Sequence, residues 1–361
     1  MQTLPTEPLQ SELRDAITSL LAATDAPGVA VASVVDGEPG FAQGIGFRDA
    51  DRTQTLDAHE QFYLFSITKT FIAAAVMRLT EDDQLNLDDT IQTLLPEIAL
   101  DHSVTLRQLL NHTGGVPDYS ALPAYFEDLR SDPSTPWTAN QFLARTLPLG
   151  FPFLPGAGWA YSNIGFLLVR LAIERVTRRS LREVLADLIF APLGLRHTFV
   201  AQTLDDGSVL TPGYSRDLDR DGHVHDISGR YHPGWVSHGV VVSSAPETAV
   251  MLDAVFSGRL LQPASVAAML DGVVVPGTHD LFATPGYGLG LMVDLGPPAG
   301  RVAGHGGGGP GYSTAAFHFP DLNGSRVSSV ALVNRDGDNI GLRIAIALAK
   351  SYDGSALQAC S

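Results

Sequence analysis

Ser66 and Lys69 lie three residues apart in the stretch Phe65-Ser66-Ile67-Thr68-Lys69-Thr70, at the predicted start of a helix. Residues at positions i and i+3 share a helix face, so the spacing brings the hydroxyl beside the amine. Only two of the 23 lysine and arginine residues are lysines. Unlike arginine, a lysine that is buried can lose its proton and act as a base. The pair predicts a serine nucleophile activated by an amine, the alternative being a solvated lysine near an unrelated serine.

A second polar stretch, Gly158-Trp159-Ala160-Tyr161-Ser162-Asn163-Ile164-Gly165, precedes an apolar helical pattern. It places a phenol, a hydroxyl and an amide in a row. Ser162 or Asn163 would serve as a helix N-cap. Capping leaves Tyr161 without a role, so a catalytic phenol is the second hypothesis for this stretch.

The third stretch, Gly304-His305-Gly306-Gly307-Gly308-Gly309-Pro310-Gly311, is almost free of side chains. It is either a flexible turn or a strand edge. A strand stripped of side chains can present backbone N–H groups to a substrate carbonyl.

Hydrophobic periodicity indicates the elements that must position these groups. Strand patterns lie near both chain ends, at 29–35, 41–47, 62–65, 288–295, 300–303, 314–319 and 327–334. Helical patterns cover 9–23, 68–82, 106–110, 139–146, 164–177, 181–189, 246–256, 263–270 and 340–350. Residues 211–246 look like loops lying over a site.

This order predicts an α+β fold with one antiparallel sheet built from both chain ends, flanked by the terminal helices and closed by an inserted, mostly helical lobe. We expect a tail at 1–8, a single catalytic domain at 9–350 and a tail at 351–361. Within the domain, the sheet lobe is expected at about 9–65 and 285–350, and the helical lobe at about 66–284.

Composition narrows the classes of function. A formal charge of −16 and a pI near 4.9 argue against nucleic acid or an anionic membrane as partner. Cys360 is the only cysteine, so neither an internal disulfide nor a cysteine-based zinc site is possible, and the histidines show no compact metal-binding spacing. We expect neither a metal nor an organic cofactor. The opening residues lack a basic segment followed by an apolar one, which favours a cytoplasmic location.

Taken together, Ser66-x-x-Lys69, Tyr161-x-Asn163 and His305-x-Gly307 resemble the serine β-lactamase and penicillin-binding-protein superfamily. The chain is most similar to its class C β-lactamase-related branch, which includes D,D-carboxypeptidases, D-aminopeptidases, D-amino-acid amidases and β-lactamase-like esterases. The resemblance covers roughly residues 10–350, and its further segments are 109–115, 190–195 and 287–291.

The resemblance implies a role for each matching residue. Ser66 would be the acylated nucleophile, and Lys69 the amine that tunes it. Tyr161 would shuttle the proton to the leaving group, with a phenol pKa lowered by neighbouring cations. Asn163 would hold Lys69 and the substrate amide, and the backbone N–H groups of Ser66 and Gly308 would form the oxyanion hole next to Gly307.

The third motif departs from the β-lactamases, which carry Lys-Thr-Gly where this chain has His305-Gly306-Gly307. In the superfamily, histidine there is typical of peptidases, amidases and esterases. The resemblance therefore disfavours efficient β-lactamase activity. We also expect His305 to titrate between pH 5 and 8, so that activity on anionic substrates falls as it deprotonates.

Substrate recognition is less determined by the sequence. Asp118 is the candidate carboxylate for the ammonium group of a D-amino acid, or else a turn residue after Pro117. Trp235, with Tyr119, Tyr125 and Phe126, would line an apolar pocket for a small-molecule substrate, or else belong to the core.

The main prediction is a serine hydrolase that forms an acyl-enzyme on Ser66 and cleaves amide or peptide bonds of small molecules containing D-amino acids. A β-lactamase-like carboxylesterase is the first alternative, and ester and amide substrates would separate the two. A non-catalytic penicillin-binding-like scaffold is the second; the intact motif set argues against it, and it would leave no acyl adduct on Ser66.

Overall fold

A computed structural model describes residues 11–219, 222–279, 281–297, 300, 302–337 and 339–352. The predicted tail at 1–8 and Cys360 lie outside these ranges. The strands are β1 (Gly28–Val35), β2 (Glu38–Gly46), β3 (Phe62–Tyr63), β4 (Phe199–Ala201), β5 (Tyr214–Ser215), β6 (His225–Asp226), β7 (Val240–Ser243), β8 (Val273–Val274), β9 (Pro285–Tyr287), β10 (Met292–Asp294), β11 (Ala303–Gly309), β12 (Tyr312–Leu322) and β13 (Ser325–Val333).

The helices are α1 (Ser11–Ala23), α2 (Thr68–Glu81), α3 (Ile91–Leu94), α4 (Leu106–Leu110), α5 (Pro123–Ser131), α6 (Ala139–Thr146), α7 (Asn163–Thr177), α8 (Leu181–Leu185), α9 (Ala191–Leu193), α10 (Ala245–Phe256), α11 (Pro263–Leu270) and α12 (Ile340–Tyr352). Many begin at a hydroxyl side chain that satisfies a free backbone N–H group. Thr105, Thr138 and Ser180 form reciprocal capping boxes, and Ser162 caps α7 by accepting from Gly165 N.

The main antiparallel sheet has the order β2-β1-β13-β12-β11-β10-β9-β8. Its centre joins the two chain ends, since β1 pairs with β13 in the register Val29↔Val333. Asp36 and Gly37 turn the chain from β1 into β2 with φ of 52° and 89°, the positive values that an Asp-Gly hairpin turn needs. The predicted sheet from both chain ends is confirmed.

The two faces of this sheet bury different cores. Val29 and Val31 of β1 pack with the apolar faces of α1 and α12, whereas Ala30 and Ala32 face the larger core that contains α2 and α7. Successive strand residues point to opposite faces, so one strand serves both layers. The terminal helices therefore cover one face, and the mostly helical region covers the other.

The prediction of one strand over 288–295 is wrong. Strand β9 ends at Tyr287 and β10 begins at Met292, with a turn between them. Gly290 takes a φ of 73° in that turn, and a Cβ there would lie 2.7 Å from the carbonyl oxygen of Lys69. Only glycine permits this approach to α2. Helix α12 also runs to Tyr352, two residues into the predicted tail at 351–361.

Candidate active site

Ser66 lies in a single 3₁₀ turn, Phe65–Ile67, that leads directly into α2. Phe65 takes a φ of 45°, an uncommon conformation for an aromatic residue. The turn is clamped against β11, where a Cβ on Gly309 would come within 2.4 Å of the Phe65 ring. The strained turn leaves Ser66 partly exposed and points Lys69, one turn further along, into the interior.

Lys69 is fully buried, and its ammonium nitrogen is the centre of a polar cluster. Its Nζ lies 3.2 Å from Ser66 Oγ, 2.8 Å from Asn163 Oδ1 and 3.2 Å from His238 Nε2. Burial lowers the pKa of Lys69 from 10.5 to about 7, against the opposing effect of the Asp118 carboxylate. The amine is therefore available as a base near neutral pH.

Tyr161 completes the contact with the nucleophile, because its hydroxyl donates to Ser66 Oγ at 2.8 Å. The phenol ring also lies 4.8 Å from Lys69 Nζ. Burial raises the phenol pKa of Tyr161; the Ser66 hydrogen bond opposes this, and Asp118 adds to it. The expected lowering by neighbouring cations is wrong, because burial of the phenol dominates.

Asn163 begins α7 and is held by Asp118. Its backbone N–H donates to Asp118 Oδ2, and its Nδ2 lies 3.5 Å from Asp118 Oδ1. Asp118 Oδ1 also accepts from Ser120 N at 2.8 Å, so the carboxylate caps the short turn Tyr119–Ala121. Asp118 lines neither cavity beside Ser66. These contacts match the alternative prediction of a turn residue after Pro117, and they also position Asn163.

His305 lies on β11 and is 5% exposed. Its Nε2 lies 2.8 Å from the hydroxyl of Tyr287, and its Nδ1 contacts Gly306 O. Burial, with Lys69 adding to it, lowers the pKa of His305 to about 3. The prediction that His305 titrates between pH 5 and 8 is therefore wrong, because the buried ring is already neutral across that range.

Two cavities meet at the nucleophile. The larger has a volume of about 600 Å³ and the smaller about 230 Å³, and Ser66, Asp217, Gly308 and Gly309 line both. Gly307 lines the larger one, beside His305 and Tyr161. The glycine-rich stretch is thus a strand at the mouth of the site, not a free turn.

The smaller cavity has an aromatic wall that includes Trp235. The indole ring is 1% exposed, and its Nε1 donates to Pro133 O at 2.9 Å, which fixes its orientation. The other aromatic lining residues are Phe65, Tyr119, Tyr125, Phe126 and Tyr231. Trp235 belongs to the core, as one hypothesis predicted, and it also lines a cavity beside Ser66; binding of a substrate there stays a prediction.

Sequence reasoning missed three residues of this site: Asp217, His238 and the ring of His112. His112 is buried, lies 4.3 Å from the Tyr161 ring and accepts from Ser162 N at 3.1 Å. Asp217 belongs to the segment predicted to overlie a site, but nothing in its local sequence singles it out. His238 reaches Lys69 from a distant part of the chain, so no spacing rule could have found it.

Within the described ranges, no group of three or more histidine, cysteine and acidic side chains is arranged to hold a metal ion. Among the described helices, none has the length and apolarity needed to cross a membrane. The polar cluster around Ser66 is instead built from a hydroxyl, an amine, a phenol and an amide. Such a cluster can activate the Ser66 hydroxyl for acyl transfer.

The Beta-lactamase family model matches residues 13–351, so the chain belongs to that family. A D-aminopeptidase of Brucella anthropi is 27% identical over 86% of the chain, and a penicillin-binding protein of Bacillus subtilis is 26% identical over 82%. These alignments span 56% and 66% of the relatives' own lengths. A D-stereospecific amidohydrolase from Streptomyces sp. superposes with a TM-score of 0.79 at 28% identity, covering 97% of this chain and 100% of that one. The family resemblance predicted from the three motifs is confirmed.

Proposed function

We propose that the chain is a serine hydrolase that cleaves amide bonds of small D-amino-acid derivatives carrying a free ammonium group, through an acyl-enzyme on Ser66. The observation that carries the substrate class is the charge of the cavities. Asp217 lines both, and Asp336 lines the larger one. The described lining residues include neither lysine nor arginine.

This charge pattern favours one class of substrate over another. A substrate with a free carboxylate, such as a penicillin or a peptide C-terminus, would meet the Asp217 carboxylate and no lysine or arginine among the described lining residues. Asp336 contributes less to this charge, because Arg335 Nε lies 3.9 Å from its Oδ1. A substrate ammonium would meet an attractive field. Asp217, which lines both cavities, is therefore proposed as the ammonium anchor in place of Asp118.

In the first half of the reaction, neutral Lys69 takes the hydroxyl proton of Ser66 while Ser66 Oγ bonds to the substrate carbonyl carbon. The backbone N–H groups of Ser66 and Gly308 are proposed to bind the resulting oxyanion. Tyr161 gives its proton to the leaving nitrogen and recovers one from the Lys69 ammonium. The C–N bond breaks, and an ester on Ser66 remains.

In the second half, a water molecule replaces Ser66 as the nucleophile, and the Ser66 oxygen becomes the leaving group. Lys69, again neutral, accepts a proton from water through Tyr161, and hydroxide bonds to the ester carbon. The Ser66 ester bond breaks, Ser66 Oγ takes the proton held by the Lys69 ammonium, and the free acid is released while Lys69 becomes neutral again. The aromatic wall with Trp235 is proposed to hold the apolar side chain of the substrate.

D-stereospecificity is proposed from the relatives. The D-aminopeptidase and the D-stereospecific amidohydrolase align over most of this chain.

The first experiment is hydrolysis of D- and L-phenylalanine amide and of p-nitrophenyl butyrate, with Ser66→Ala as the blank. We expect Ser66-dependent turnover of the D-amide well above the L-amide. Fast ester cleavage with neither amide hydrolysed would establish the esterase alternative, and the absence of any Ser66-dependent turnover or acyl adduct would establish the scaffold.

The ammonium anchor has its own test. Asp217→Asn removes a charge at the exposed end of the site, so we expect KM for D-phenylalanine amide to rise about tenfold. N-acetyl-D-phenylalanine amide lacks the ammonium, and its kcat/KM should change less than about twofold. Asp219→Asn removes the same charge from the same segment at a position that lines neither cavity, and serves as the matched control. Equal effects of the two variants would reject Asp217 as the anchor.

A further inference from the structure

His238 contacts Lys69 but has no role in the proposed reaction. His238 Nε2 lies 3.2 Å from Lys69 Nζ, in addition to Asn163 Oδ1 at 2.8 Å and Ser66 Oγ at 3.2 Å. His238 is 1% exposed. Lys69 therefore has three polar neighbours, and the number of its hydrogens decides what each neighbour can do.

A neutral amine has two hydrogens and one lone pair. Asn163 turns its Nδ2 toward Asp118 and its Oδ1 toward Lys69, so it takes one of the hydrogens. Ser66 Oγ already accepts from Tyr161, so its own hydrogen needs an acceptor. The Lys69 lone pair can be that acceptor only if the second amine hydrogen is directed elsewhere.

We propose that His238 is a positioning residue: it accepts the second hydrogen of neutral Lys69 at Nε2 and so leaves the lone pair of the amine pointing at Ser66. The inference rests on the proposed acyl-enzyme function. After proton transfer the ammonium has three hydrogens, which match the same three neighbours. No neighbour has to move during the transfer, so the base is pre-organised.

The backbone on either side of His238 holds the ring in place. Ser237 Oγ donates to the carbonyl oxygen of Asn163 at 3.3 Å, and Val241 N donates to Thr68 Oγ1 at 2.9 Å. The two bonds connect this segment to the beginnings of α7 and α2. The ring also lies edge-on to Phe166, with centroids 6.2 Å apart. His238 is thus fixed relative to Asn163 and to the beginning of α2, which carries Lys69.

The role requires a neutral ring that carries its hydrogen on Nδ1. Burial keeps the pKa of His238 well below its ordinary value, and Lys69 and Arg170 act in the same direction. Among the described residues, Nδ1 has no hydrogen-bond partner. The opposite tautomer would donate from Nε2 into the Lys69 lone pair and leave Ser66 without a base. Only the tautomer with its hydrogen on Nδ1 can therefore leave the Lys69 lone pair to Ser66.

The pH dependence of Lys69 reflects all the groups that face it. These are Tyr161, His112, His238 and His305, together with the carboxylate of Asp118. A hydrogen bond to the charged form of an amine favours that form. Removing the His238 acceptor should therefore lower the pKa of Lys69, and so move the acid limb of acylation to lower pH.

The experiment compares acylation rates of His238→Leu and His238→Gln by rapid mixing with an activated D-amino-acid ester, over a range of pH. Leucine offers no acceptor, whereas the glutamine Oε1 can occupy the place of Nε2. We expect His238→Leu to acylate about ten- to a hundredfold more slowly at its plateau, with an acid limb about half a pH unit or more lower. His238→Gln should stay within about fivefold of the wild type. His318→Leu is the control, since His318 is a buried histidine on β12 bonded to Ser328.

Nitrogen NMR of histidine-labelled wild-type protein above pH 7 gives an independent answer, with the His238 signals assigned by their loss in His238→Gln. An unprotonated Nε2 supports the inference, and a protonated one overturns it even if His238→Leu fails to fold. An acylation rate of His238→Leu within twofold of the wild-type rate would also overturn it. So would an equal loss of acylation rate in His238→Leu and His238→Gln with the acid limb unchanged. If the wild type shows no Ser66-dependent acylation, the proposed function fails, while the tautomer still tests the inference.

Discussion

Lys69 combines full burial with a pKa lowered to about 7, and this sets the expected pH dependence of the reaction. The neutral amine is the base, and it is protonated below that pKa. We therefore expect kcat/KM to rise with pH through about 7 and to fall about tenfold for each unit below it. The pH dependence of the rate at limiting D-amide measures kcat/KM, and the same profile at saturating D-amide measures kcat. Lys69→Arg, which cannot deprotonate, should lose at least about a hundredfold.

The control for this assignment is His305→Gln. Because the His305 ring is already neutral above its pKa of about 3, replacing it should lower the rate but leave the acid limb where it is. Loss of the limb in His305→Gln would assign the titration to His305 and contradict the role given to Lys69.

At the scale of elements, β11 forms the boundary of the site because its glycines let neighbouring backbone approach closely. A Cβ on Gly307 would lie 2.3 Å from both Leu64 O and Thr314 Oγ1, whereas a Cβ on Gly308 would meet no atom within 4 Å. Thr314 Oγ1 also donates to Leu64 O at 3.2 Å, so strand β12 takes part in holding the segment that leads to Ser66. The same strand therefore contains one position that packs tightly and one that faces open space.

We expect Gly307→Ala to lower the free energy of unfolding by about 1–3 kcal/mol and to reduce the yield of acyl-enzyme, because the added methyl pushes β11 away from the Ser66 turn. Gly308→Ala is the matched control, with a change in the free energy of unfolding below about 0.5 kcal/mol. Denaturant unfolding of both variants measures the difference. If Gly307→Ala and Gly308→Ala lower the free energy of unfolding equally, the effect at position 307 comes from strand propensity and not from the close approach of Leu64.

At the scale of the whole molecule, Asp253 of α10 connects the helical region to the C-terminal strands. Its carboxylate is fully buried, and it pairs with Arg326 of β13 at 3.1 Å and with Arg259 at 3.0 Å. The two arginines are partly exposed, so part of each pair is screened by solvent. None of the residues of these two ion pairs lines either of the two cavities.

We expect Asp253→Ala to lower the free energy of unfolding by about 2–4 kcal/mol, because two guanidinium groups lose a buried partner. The kcat of the folded enzyme should be unchanged. Asp187→Ala breaks an exposed pair with Arg179 and should cost less than about 1 kcal/mol. Urea unfolding and titration of Ser66 with an acylating ester separate stability from catalysis; a fall in kcat per titrated site would contradict this division.

Sequence patterns identified most of the elements because their causes are local. The helices at 106–110, 139–146 and 263–270 have the predicted bounds, since hydroxyl caps or a proline mark where they begin. The Asp36-Gly37 hairpin followed from turn chemistry in the same way. The turn at Gly290 was missed because its cause is the approach of α2, which no neighbouring residue announces.

The sequence by itself determined the nucleophile pair, the phenol and amide of the second motif, and the glycine-rich strand, because spacing and residue type fix what those groups can do. Only the tertiary structure decided their charge states and partners. Burial depends on the surrounding chain, so it lowered the pKa of His305 and raised that of Tyr161 against expectation. Long-range contacts likewise assigned Asp118 to Asn163, brought Asp217 to the cavity wall and placed His238 beside Lys69, across separations at which no local pattern operates.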